Sequence, residues 1–453
     1  MDNKSRGRKR ERTVLQEDGV FLYEGGKVVE ERKKSEITRV RIGPQVKDIP
    51  RATFDGCTNL VEVQFDDGAL QYIGECAFRD CRALQQVTIP PFVTELGLGA
   101  FWGCVNLTDV QLKKGLQIIG GHAFRGCKAL QQVTIPSSVT ELGNYAFHSC
   151  FNLTAVHFNE GLEVIGACAF QECKALQHVN IPSGVTELGS HVFYGCSNLT
   201  EVTIPSSVTK LGGCALWDCS NLAEVQFNEG SLRFIGEHAF QDCTALRSVT
   251  VPSSVTTLGQ FAFRRCTNLS EVILMGGDML LNRGFLDRGL YSGVGALNKK
   301  RFNEMIRFHT FLGCPLTAIK ISIPPALSQR MARQPHECRL SVEGRIRDMR
   351  RLELTRDGTI LACFSIIRGA LGHVDVEDTN NLTAESLHQV LRLISFHELK
   401  ESSILIELAM WKSKFEEGRA RADCRISVPD PAKSLIMEFC GFTGFLEPAI
   451  EGA

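Results

Sequence analysis

The chain has 453 residues, with 50 Lys and Arg against 51 Asp and Glu and a formal net charge of -1. A hydrophobic share of 43% with 22% charge excludes a disordered chain, and near-neutrality excludes a global pull toward nucleic acid or an anionic membrane. No run approaches the ~20 apolar residues that a bilayer span needs, and 18 cysteines behind an N-terminus lacking an apolar signal core predict reduced thiols in an intracellular protein.

In chain order, residues 1–35 read as a basic N-terminal tail and lead-in, expected to be disordered. Its run "KSRGRKRER", Lys4 to Arg12, reads either as a nuclear import signal or as a solvated tail. The expected location is therefore cytoplasmic, with the nucleus as the alternative.

From about residue 36 a short unit repeats. "VTIPSSVTELGNYAFHSC" at Val133 has close copies at Val87, Val179, Val202 and Val249. A second type, such as "VQLKKGLQIIGGHAFRGC" at Val110, stands at Val63, Val156 and Val225. The two types alternate except at the neighbouring copies Val179 and Val202. A cysteine marks the register at Cys57, Cys81, Cys104, Cys127, Cys150, Cys173, Cys196, Cys219, Cys243 and Cys266. Seven of the nine steps are 23 residues; the other two are 24, with the extra residue in the turns "DDGAL" (Asp66 to Leu70) and "NEGSL" (Asn228 to Leu232). Insertion confined to a turn is what a solenoid tolerates.

Within one copy, Val133 and Ile135 face inward from a short strand and Thr134 faces out. Pro136 ends the pairing, Val139 and Leu142 form a second inward stretch, Gly143 bends the chain, and Ala146, Phe147 and Cys150 close the coil. Neighbouring coils place their parallel strands about 4.8 Å apart, and only stacking buries the apolar side.

The motif L-x-x-V-x-I-P-x-x-V-x-x-L-G-x-x-A-F-x-x-C over residues 36 to 324 resembles the BspA-type leucine-rich repeats. The resemblance implies an α+β protein built on a right-handed solenoid of short parallel strands, used in protein interaction and without a common enzymatic activity. The usual Asn or Cys ladder after the first strand is replaced here by Val, so the standard horseshoe curvature is not implied.

Between Cys266 and Cys314 lie 48 residues whose middle has lost the motif, and residues 275–310 read as an irregular or helical excursion replacing one coil. "FLGCPLTAIKISIP" then restores the pattern. Residues 325–453 read as a mainly helical C-terminal region, with Thr383 as an N-cap, Leu387, Val390, Leu391 and Ile394 at helical spacing, Gly418 as a stop, and a further helix near Pro431. These helices resemble tails that follow such repeats in leucine-rich repeat proteins of heterokont algae.

Candidate chemistry dissolves into repeated positions. One cysteine per coil is a packing column rather than a tetrahedral metal site; Cys76, Cys168 and Cys214 are half-buried fillers. His148, His157, His178, His191 and His238 scatter over the repeat. "FHELKE" (Phe396 to Glu401) lacks the second histidine of a zinc helix, and "SGVGAL" (Ser292 to Leu297) lacks the strand and third glycine of a nucleotide loop. No catalytic residue, cofactor or metal is expected.

What remains is an uncharged polar stripe of outward positions, among them Thr134, His157, Asn180, Thr203 and Gln226, with His178 beside them. The stripe reads equally as a ladder that stabilises the sheet and as a face that holds a protein partner. The expected function is a non-enzymatic interaction scaffold, with no nucleic acid and no membrane as partners. The alternative places an activity in residues 275–310 or the C-terminal region, with the repeats as a targeting arm.

Overall fold

The computed structural model of the chain describes residues 19–26, 28–282, 295–307, 309–368, 374–377 and 382–416. The basic run Lys4 to Arg12, Gly418 and the helix expected near Pro431 lie outside them. Two compact units result, one of Met1–Leu274, Phe302–Thr317 and Ile366–Asp375, the other of Met275–Arg301, Ala318–Ser365 and Val376–Ala453.

The first unit is a parallel-strand solenoid of eleven coils, counted by the core residue of each from Phe54 to Phe311. Each coil supplies a long strand, and all but the last a two-residue short strand. Long strands pair in parallel and in register, as Gln132–Ile135 does with Ala155–Phe158. The short strands form one ten-stranded parallel sheet from Asp48–Ile49 to Thr257–Leu258. Val133, Ile135, Val139, Leu142, Ala146 and Phe147 are all buried and Thr134 is exposed, so the inside and outside positions follow the two-residue alternation.

Down the interior runs a ladder of phenylalanine rings. Phe54, Phe78, Phe101, Phe124, Phe147, Phe170 and Phe193 stack with centroids 5.1 to 5.7 Å apart. Leu216 interrupts it, and Phe240, Phe263 and Phe311 resume it at 5.0 and 5.4 Å. Spacing imposed by backbone pairing coincides with the spacing of stacked rings, so one residue type satisfies both.

The cysteines form the adjoining column. From Cys81 on, each thiol donates to the carbonyl of the core residue in the preceding coil: Cys150 to Phe124 at 3.2 Å, Cys173 to Phe147 at 3.2 Å, Cys243 to Leu216 at 3.2 Å. A small apolar side chain with a weak donor fits a buried carbonyl that needs a second partner. The register thiols are all free and buried.

Gly143 has a different role from the bend expected of it. A Cβ there would lie 2.4 Å from the Gly121 amide nitrogen and 2.7 Å from the Gly120 carbonyl carbon, so the glycine lets two coils touch backbone to backbone. The bend comes instead from left-handed residues two before and two after each core ring, such as Tyr145 and Ser149, both at φ 59°. Alternating handedness turns the amides of Tyr145, Phe147 and Ser149 toward the next coil, where they donate to Ala167, Ala169 and Gln171 at 2.8 Å. A third inter-coil ladder thus runs where there is no strand.

At the start, strand Val20–Tyr23 pairs with Arg39–Ile42 and sets Phe21 and Tyr23 edge-on against Phe54. The first ring is thereby covered, as a terminal coil requires.

The excursion inserts rather than replaces. Phe311 stacks directly on Phe263, the Cys314 thiol reaches the Phe263 carbonyl at 3.0 Å, and Ile306 bridges to Leu258 in parallel, taking the next short-strand position. The 48 residues from Cys266 to Cys314 are therefore one 23-residue coil plus 25 residues, added in the same turn that holds the single-residue insertions.

In the second unit, helices Pro325–Ala332, His336–Asp348 and Leu382–Glu416 accompany an antiparallel set that the sequence reading passed over. Ile360–Arg368 pairs with Leu352–Leu354 and with Ala318–Ser322. Thr383 lies inside the last helix, not at its cap: it is fully buried and its hydroxyl meets the Cys363 carbonyl at 3.2 Å. Leu387, Val390 and Ile394 are fully buried along one side. Arg330 grips Glu398 with two bonds of 3.0 and 2.6 Å.

Candidate functional site: the solenoid faces

The outward residues of the long strands share one face because every rung is in register. Thr134 sits opposite His157, and Asn180, Thr203 and Gln226 follow on three successive rungs. Val156 pairs with Val179, so His157 stands level with Asn180. All are exposed except Thr203, which is half-buried. His178 belongs to the parallel column one step over, level with Ala155 and Glu201; its Nδ1 lies 3.4 Å from a Glu201 carboxylate oxygen. Glu224 is level with Glu201 and accepts a 2.7 Å bond from the Gln226 amide. The face therefore carries amides, hydroxyls, imidazoles and carboxylates, a surface able to donate and accept hydrogen bonds.

A second set of side chains escaped the sequence reading. His191 and His238, taken there as scattered, occupy one repeat position together with His122 and His309, two residues before the core ring and left-handed at φ 57 to 59°. With the residue just after the core ring they build a half-buried row along the turns. Trp102, His122 and Tyr145 stack at 5.5 and 4.7 Å, with the Arg125 guanidinium 5.0 Å from the Trp102 ring. Farther on, Trp217, His238, Phe261 and His309 stack at 5.0 to 5.5 Å. Burial pulls the pKa of His122 and His191 below the ordinary imidazole value, and Arg125 adds to this at His122. The signal was present in "GGHAFRGC" and "GEHAFQDC", where His holds the same place before Ala-Phe. Among the described residues no group of three or more His, Cys, Asp or Glu is placed to hold a metal ion.

Burial also governs the thiols. The Cys150 thiol, fully enclosed, is pushed up from 9 to about 12, and those of Cys127, Cys173 and Cys219 are also raised well above the ordinary value. Such thiols are poor nucleophiles and poor ligands.

Coils of this length, with one long and one short parallel strand each and a polar outer face, define a leucine-rich-repeat solenoid. The chain belongs to the BspA type leucine rich repeat family, which matches residues 32–154 and 140–270 in six copies. Repeat solenoids of this class generally serve in protein binding or surface interaction.

Among solved structures, the chain is similar to a leucine-rich repeat protein from Bacteroides ovatus at 29% identity, over 52% of this chain and 73% of that one, with a TM-score of 0.40. It is also similar to the pneumococcal vaccine antigen PcpA, at 23% identity over 52% and 62%, TM-score 0.40. A leucine rich cell surface protein from Faecalibacterium prausnitzii matches at 26% over 52% and 73%, TM-score 0.36. No curated protein matches. No helix among the described residues is long and apolar enough to cross a membrane.

Proposed function

We propose that the solenoid is a non-enzymatic scaffold that binds a protein partner on its long-strand face, through Thr134, His157, His178, Asn180, Thr203 and Gln226. The observation that carries this reading is the registered polar face itself, a rigid surface of successive rungs whose side chains are the positions that differ between otherwise similar coils. A reducing, intracellular setting belongs to the proposal, supported by the unpaired buried thiols. The likeness of the C-terminal helices to heterokont algal tails is also part of it, as a second module following the array.

Replacing His157, His178 and Asn180 with Thr tests the face. The melting temperature stays unchanged, because all three side chains are exposed, while affinity for a partner isolated with the wild-type array falls at least tenfold. Unaltered affinity moves the binding surface elsewhere.

A further inference from the structure

Near its N-terminal end the long-strand face opens into a shallow groove of about 540 Å³. Gln64 and Thr88 of the stripe line it, together with Asp66, Pro91, Phe92 and Lys113. Phe92 is 64% exposed, the most exposed large apolar side chain among the described residues. A lone exposed ring needs no explanation, but this one breaks the repeat. Where three other coils of its type continue Pro-Ser-Ser, at Pro136–Ser138, Pro205–Ser207 and Pro252–Ser254, and the fourth Pro182-Ser183-Gly184, this coil reads Pro90-Pro91-Phe92.

The charges around the ring are ordered by the register. Glu62 pairs with Gln86 and Gln86 with Asp109, so Asp66, Pro90 and Lys113, each four residues on, hold one position in three successive coils. Asp66 and Lys113 therefore flank the Pro90–Phe92 turn from the coils on either side. Asp66 already accepts from Arg41 at 2.8 Å through one oxygen, and Asp67 adds a second carboxylate to the lining.

A polyproline II segment brings side chains i and i+3 to the same face with a rise of about 9 Å, and aromatic-lined grooves are its usual receptors. We infer that this groove takes a polyproline II segment of a protein partner, with a basic residue toward Asp66 and Asp67, an acidic residue three positions away toward Lys113, and prolines packed on Phe92. The inference rests on the reading that the long-strand face binds a partner, and places the anchor at the first coils.

The test uses the full chain and two peptides of one composition. Ac-Ala-Lys-Pro-Pro-Glu-Ala-NH2 carries the charges three residues apart; Ac-Ala-Pro-Lys-Glu-Pro-Ala-NH2 carries them side by side. In calorimetric titrations at low salt the first binds at least fivefold more tightly. Phe92→Ser abolishes that preference, and Lys113→Asn reduces it at least threefold. Both substitutions install what sister coils already carry, Ser138 and Asn159, where the Asn159 amide bonds the Ile135 carbonyl at 3.0 Å, so the melting temperature holds. Equal binding of the two peptides, binding of neither, or an undiminished preference in Phe92→Ser overturns the inference. The scaffold reading is judged separately, by the His157, His178 and Asn180 variant, which leaves the groove intact.

Discussion

Removing the ring of Phe147 attacks the interior ladder at its middle. The side chain is fully buried, and its ring stacks on Phe124 at 5.2 Å and on Phe170 at 5.4 Å. Truncation of a buried phenylalanine costs about 3–5 kcal/mol, and each stacked pair contributes about 0.5–1.5 kcal/mol beyond area. With two pairs lost and neighbours pinned by inter-coil hydrogen bonds, so that the void cannot collapse, Phe147→Ala falls at the upper end, about 5 kcal/mol. Phe147→Leu is the internal control, because Leu216 already occupies the same column; it costs about 1–2 kcal/mol, within the range of ordinary point changes. Thr134→Ala, on the exposed face, costs under about 0.5 kcal/mol. A solenoid can unfold from one end, so urea denaturation is paired with amide exchange at the coils flanking residue 147. Equal losses in Phe147→Ala and Thr134→Ala would refute the inside and outside assignment.

Gly143→Ala drives a Cβ into the backbone of the preceding coil and is expected to cost more than about 2 kcal/mol, as overpacking does, read from the same denaturation curves. Ser149→Gly, at a left-handed position that Gly126 fills one coil earlier, is neutral to stabilising by up to about 1 kcal/mol; a clear loss of stability would count against the φ assignment. Stability declines at alkaline pH: with the Cys150 thiol raised from 9 to about 12, the unfolded chain releases its proton first, so the thiol's contribution is complete below pH 9 and lost as pH rises toward 12. A melting temperature that is flat from pH 8.5 to 10.5 refutes this. Mass spectrometry of unreduced protein finds no disulfide among Cys81, Cys104, Cys127 and Cys150, and native protein reacts with a thiol reagent at these positions only on unfolding.

The coil interior was legible because its signals recur. Val133, Ile135, Leu142, Phe147 and Cys150 repeat with one period, and any position kept through ten coils declares its burial. The turn conformation was only partly legible: the glycines at 56, 99, 103, 126, 195 and 313 and the recurrent His and Asp mark left-handed positions, whereas Tyr145 and Phe261 leave no such mark. The excursion was misjudged because 48 residues is near twice 23, and chain length does not distinguish a lost coil from a long turn. The strand pair Leu352–Leu354 and Ile360–Arg368 did carry a local signal, Asp357-Gly358 between apolar runs, masked by the helical grammar around it. On the face, His157 and Asn180 stand out against neighbouring Thr and Gln, whereas the exposure of Phe92 leaves no mark in its own coil beyond a ring where sister coils carry Ser or Gly.

The turn after each long strand accepts one extra residue at Ala69 and at Ser231, and 25 between Cys266 and Cys314, while the ring and thiol columns keep their spacing on either side. Length at that point is decoupled from the rhythm of the stack. It is a docking port for foreign sequence: a peptide epitope, a fluorescent reporter or a catalytic domain spliced between Ser138 and Val139 would hang from the side of the array without shifting a single rung. A family built on such coils can diversify by adding cargo at the turns while its interior stays constant.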